Sequence, residues 1–132
     1  MITFVRILRD KGGSGAVDFA FAFPVLITLM LGTIQLGMYL QASGTLRHAL
    51  GEGIRYAKVY PDATTEEVLN EVRSEMPIMD QDKISRLSFV RGTSNGAQYG
   101  RLTIAYQLEP MFPLVPVPPI TISETKTAYL PA

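Results

Sequence analysis

Hydrophobic and polar positions follow three different rhythms along this chain, and each predicts a different kind of element. From Phe19 to Leu40 there is no alternation at all: FAFAFPVLITLMLGTIQLGMYL runs 22 residues without a charge. As a helix rising about 1.5 Å per residue, this run extends about 33 Å, close to the thickness of bilayer hydrocarbon, so it predicts a membrane-spanning helix. From Leu46 onward the rhythm is helical. Leu46, Ala49, Leu50, Gly53, Ile54 and Ala57 recur at offsets of 3, 4, 7, 8 and 11 and share one stripe, while Arg47, His48, Glu52, Arg55 and Lys58 fall largely elsewhere. The spacing predicts one long helix whose first half sits in lipid and whose second half offers a narrow apolar face to a soluble domain. Gly44, Gly51 and Gly53 each cost about 1 kcal/mol against alanine inside a helix, so that half depends on packing. Pro61 and Asp62 end it.

A second helix is predicted from about Thr65 to Met76. Thr64 or Thr65 caps it, Glu66 and Glu67 suit the positive end of its dipole, and Pro77 stops it. Val68, Leu69, Val72 and Met76 form its buried face. After Asp82 the period becomes two. Leu87 and Phe89 alternate with polar neighbours in Ser85 to Val90, and Leu102, Ile104, Tyr106 and Leu108 do so more cleanly in Arg101 to Leu108. The polar stretch Gly92 to Gly100, with Asn95-Gly96 inside it, predicts a hairpin with a longish loop. A third strand spans Ile120 to Tyr129, where Glu124 and Lys126 suit an edge or a solvated face. The fold class is α+β: a long helix, a short helix and an antiparallel sheet of about three strands. Between the last two strands, Pro110 to Pro119 holds five prolines and forms neither helix nor central strand. Its Met111, Phe112, Leu114, Val115 and Val117 either cover the edge of the domain core or form an apolar arm that contacts a partner.

Charge adds an orientation. Arg6, Arg9 and Lys11 precede the apolar run and the next cation is Arg47, which favours a cytoplasmic N-terminus and an exported C-terminus. A cleaved secretory signal needs a shorter apolar core of about 7 to 15 residues and a small-residue site, for which Leu40-Gln41-Ala42 is poor. A buried helix needs more chain to cover it than the domain supplies. With 132 residues there is room for one anchor and one small domain. Twelve basic and twelve acidic side chains lack the excess that nucleic acid binding requires. Cysteine is absent, which excludes disulfides and thiolate metal sites.

The remaining chemistry is sparse. His48, the single histidine, has no visible catalytic partner. Asp80 and Asp82 are spaced like part of a calcium loop that lacks its turn glycine and final glutamate. Gly12-Gly13-Ser14-Gly15 has no following lysine and is no phosphate loop. No nucleophile, base and orienter form a set, so an enzyme is not expected; nor is a metal, a cofactor or a small-molecule substrate. Asp18, just inside the apolar run, needs either a partner for its carboxylate or a place among the lipid headgroups at the start of the helix.

The stretch GGSGAVDFAFAFPVLITLMLGTIQLGMYL, preceded by basic residues, resembles the N-terminus of TadE-like proteins, minor pilin-like subunits of the tight-adherence (Flp-type) pilus systems of bacteria. The resemblance is specific over about residues 11 to 44. It implies that a prepilin peptidase cuts after the glycine five residues before the acid, between Gly13 and Ser14, with Asp18 as the acid and Phe19 as its aromatic neighbour. The acid is usually glutamate in that family, and aspartate stands here. It further implies a leader of residues 1–13, a mature helix of residues 14–60 with residues 19–40 in the inner membrane, and a periplasmic domain of residues 61–132. Removing Arg6, Arg9, Asp10 and Lys11 takes the formal charge from 0 to about −2, and Pro24 deprives the Ala20 carbonyl of its helical donor and permits a kink. Implied partners are the peptidase, other pilin-like subunits and the pilus assembly platform. Two other classes remain open: an uncleaved, membrane-tethered periplasmic binding module, and a membrane-bound hydrolase that would depend on His48.

Overall fold

The computed structural model describes residues 14–111 and 118–131. Among them run helix α1 (Ser14–Val59), helix α2 (Thr65–Ser74), a 3-10 turn (Gln81–Lys83) and strands β1 (Ile84–Ser94), β2 (Ala97–Leu108) and β3 (Ile120–Tyr129). The class is α+β, and the strands form one antiparallel sheet in the order β1-β2-β3. The chain falls into two compact units, one ending at Leu36 and the other beginning at Gly37.

In the first unit α1 is largely apolar, with Asp18 its one charge among the described residues. Pro24 lies inside the helix without ending it. The Thr28 hydroxyl donates to the Pro24 carbonyl (2.8 Å), and that of Thr33 to the carbonyls of Leu29 (3.0 Å) and Met30 (2.7 Å). Their polar groups are thus satisfied within the helix, as an apolar surrounding demands.

In the second unit α1 has one buried stripe. Leu46, Ala49, Leu50, Ile54 and Ala57 join Val68, Leu69, Val72 and Met76 around α2, and Phe89, Leu102, Ile104, Tyr106, Leu108 and Ile122 of the sheet, in a single core. Gly53 is where the packing is closest. A Cβ there would overlap the Val72 side chain and stand 2.8 Å from Leu102 Cδ1.

Helix α2 begins as expected. The Thr64 hydroxyl accepts from the Glu67 N–H (3.3 Å), and Glu67 Oε2 accepts from the Thr64 N–H (2.7 Å), so the two caps are reciprocal. The helix proper ends at Ser74, and Met76 is buried just beyond it, ahead of Pro77. Arg91 of β1 donates to the carbonyls of Pro61 and Ala63 (2.8 Å to the latter), holding the α1–α2 connection against the sheet.

One expectation is corrected. The stretch Gly92 to Gly100 is not a long loop: Gly92 pairs with Tyr99 and Ser94 with Ala97, leaving only Asn95-Gly96 as the turn. Both turn residues have positive φ, 51° and 77°, the conformation that a two-residue hairpin of matching twist requires. β3 is the edge strand expected. Within it Glu124 shares with Ile122 the side facing α1 and accepts hydrogen bonds from that helix.

Candidate functional site

The site that the sequence singles out is a helix surface. Ser14 is the first described residue of α1, and Gly13 lies outside the described residues. Asp18 follows one turn later, four residues on, so its position shares a helix face with Ser14, about 6 Å along the axis. Asp18 is exposed. Phe19 is 64% exposed, and its ring lies 5.6 Å from that of Phe23 one turn further along. Phe21, Val25, Leu26, Leu29 and Met30 are also at least half exposed, and at about 100° per residue they cover about half of the helix circumference. Among the described residues one helix is long and apolar enough to cross a membrane, and none of its most apolar window is buried by its own chain. Such a surface requires either lipid or other apolar helices around it.

Of the proline-rich segment, Met111 is described and half exposed. Phe112, Leu114, Val115 and Val117 lie outside the described residues.

The domain contributes a polar clamp that the sequence reading did not identify. Ser43, 6% exposed, donates its hydroxyl to Glu124 Oε1 at 2.7 Å, and Arg47 Nε donates to the same oxygen at 2.9 Å. Ser43 and Arg47 are four residues apart on α1, so one face of one turn grips the middle of the edge strand. Lys126, next on that side of β3, extends its ammonium to 3.3 Å from where a Gly51 Cβ would sit, so glycine clears its path. The available signal was the pair of charges within an otherwise Thr- and Ile-rich strand, opposite a helix carrying Ser and Arg at i and i+4.

The other titratable groups serve the fold. His48 Nε2 is 3.5 Å from Glu75 Oε2, and both are partly solvated. Asp80 accepts from the Asp82 N–H at 3.1 Å, which caps the 3-10 turn. Lys83 Nζ lies 3.1 Å from Glu109, whose hydrogen bond holds the ammonium pKa above its usual value. The Thr64 N–H and hydroxyl hold the Glu67 carboxyl below the usual glutamate value. Hydrogen bonding and charge from Glu52, 2.6 Å away, push the Arg55 guanidinium further up. Among the described residues, α1 exposes apolar side chains over the first unit and packs in the domain core over the second.

Residues 13–55 match the family model described as TadE-like protein. The matched range takes in Gly13, Ser14, Asp18, Phe19 and Pro24, and continues through both clamp residues of α1. No curated protein and no solved structure matches the chain.

Proposed function

We propose that this chain is a minor pilin-like structural subunit of a tight-adherence pilus, inserted in the bacterial inner membrane and assembled through α1. The observation that carries the reading is the coincidence of the TadE-like match with a helix whose apolar surface its own chain leaves bare. A peptidase cut between Gly13 and Ser14 would remove a leader bearing Arg6, Arg9, Asp10 and Lys11 and create an ammonium on Ser14. Asp18 of the same or a neighbouring subunit then neutralises it among the apolar helices, where an unpaired charge is costly. Phe19 packs beside that pair. Pro24 removes one backbone hydrogen bond and supplies a place for the helix to bend as it packs. The function is structural rather than enzymatic.

The N-terminus faces the cytoplasm and the domain the periplasm, following the basic flank ahead of the apolar run. To the apolar residues of the proline-rich segment, Met111, Phe112, Leu114, Val115 and Val117, we assign contacts with other subunits or the assembly platform. The second reading, an uncleaved tethered binding module, draws on the fact that the TadE-like match ends at residue 55 and leaves most of the domain outside it.

Intact mass of the protein from membranes separates the two. Co-expression with a prepilin peptidase is expected to remove residues 1–13 from the wild type and to leave Gly13→Leu at full length. A full-length mass under every condition contradicts the processed, pilin-like reading and favours the tethered module.

A further inference from the structure

At one end of the domain, three elements meet around the last residues of the uncharged run. A cleft of about 310 Å³ is lined by Met38, Ala42 and Thr45 of α1, the Pro77-Ile78-Met79 turn after α2, and Tyr106 and Leu108 at the end of β2. Ile78 is 95% exposed, the most exposed large apolar side chain among the described residues, and nothing in the turn calls for an isoleucine on solvation grounds. Ile120, which pairs with Leu108, and Met111, three residues beyond Leu108, are exposed on the same end of the sheet. Leu40 on α1 is 61% exposed. The opposite end, at the Asn95-Gly96 turn, is polar, with Thr93, Ser94 and Gln98 around it.

We propose that this end is a lipid-contacting foot, with Ile78 inserted at the boundary between headgroups and acyl chains of the leaflet from which the domain emerges. The foot continues the apolar surface of the helix. The uncharged run ends at Leu40, so a spanning helix brings Met38 to Ala42 to the bilayer surface, and the Pro77–Met79 turn packs beside those very residues. An exposed apolar tip held at that depth gains by burial in lipid what it would lose in water. Of the nearby acids, Glu109 and Asp80 share Lys83, at 3.1 and 3.9 Å, and Glu75 stands beside His48. The foot would fix the height and tilt of the domain before the subunit leaves the membrane. This inference rests on α1 crossing the bilayer.

The chain has no native cysteine, so single spin labels report position in the full-length protein in phospholipid vesicles. Nitroxides introduced through Met30→Cys, Ile78→Cys and Ser94→Cys are compared for collision with oxygen, which concentrates in lipid, and with a water-soluble nickel chelate. The expected result is a lipid signature at residue 30, a shallower lipid signature at residue 78 and an aqueous one at residue 94. An aqueous signature at residue 78 with lipid at residue 30 overturns the foot alone. Protection of residue 78 from both reagents overturns it in favour of a protein cover, either residues 112–117 of the same chain or a second copy. An aqueous signature at residue 30 overturns the spanning helix and the foot together.

Discussion

Leu29 and Leu50 are the same residue type in the same helix, 64% and 1% exposed respectively. The backbone of α1 does not distinguish its halves; the surroundings do. Up to Leu36 the helix is largely apolar and mostly exposed, whereas from Gly37 onward the apolar positions narrow to a stripe that α2 and the sheet cover. The lesson is that helix length and burial are separate decisions. Among the described residues nothing buries the most apolar window of the first half, whereas the second half carries its own partners.

The sharpest way to break this contrast is Leu50→Ala against Leu29→Ala. The first should lower domain stability by about 2–5 kcal/mol through lost burial and a residual cavity. The second should leave it within about 0.5 kcal/mol, as at a site the domain core does not use. Urea unfolding of the full chain in detergent, followed by tyrosine fluorescence of the domain, checks both. Glycines give the next contrast. Gly53→Ala pushes a methyl into Val72 and Leu102 and should cost about 1–3 kcal/mol despite its better helix propensity. Gly44→Ala meets nothing within 4 Å and should instead stabilise by up to about 1 kcal/mol.

The clamp can be tested in the same assay. Glu124→Ala leaves the buried Ser43 hydroxyl and Arg47 without their shared acceptor, and the expected loss is about 1–3 kcal/mol. Smallest is the α2 cap, where Thr64→Ala should cost about 1 kcal/mol. Its pH dependence has a definite sign. Because the folded-state pKa of Glu67 is depressed, its contribution is present above the ordinary glutamate value of about 4.3 and is lost as pH falls through the lowered folded value. Acid titration of wild type and Glu67→Gln should therefore differ at neutral pH and converge below that window.

These contrasts also show what a sequence makes legible. The buried stripe of α1 and the face of α2 were readable because helical periodicity and burial coincide at Leu46, Leu50, Val68 and Val72. The strand positions Leu102 to Leu108 were readable for the same reason at period two. The hairpin was drawn too short because Arg91 to Ser94 and Ala97 to Gly100 extend a ladder past the core, where pairing no longer leaves an apolar trace. Asn95-Gly96 was the better guide there. The partners of Glu124 were not legible because Ser43 and Arg47 are some eighty residues away in the sequence. The helix-surface site was legible chiefly through resemblance over residues 11 to 44, since bare apolar surface alone does not distinguish lipid from neighbouring helices.

That last distinction is central to the proposed function, in which the first half of α1 would be an assembly surface and not merely an anchor. Replacing residues 19–36 with an unrelated leucine-alanine run of equal length, while keeping residues 1–18 and 37–132, tests it directly in cells that make the pilus. The account predicts a membrane-inserted, correctly processed, folded subunit that no longer supports pili, counted by electron microscopy and in the sheared fraction. Normal pilus numbers with the substituted helix would contradict it and reduce α1 to a tether.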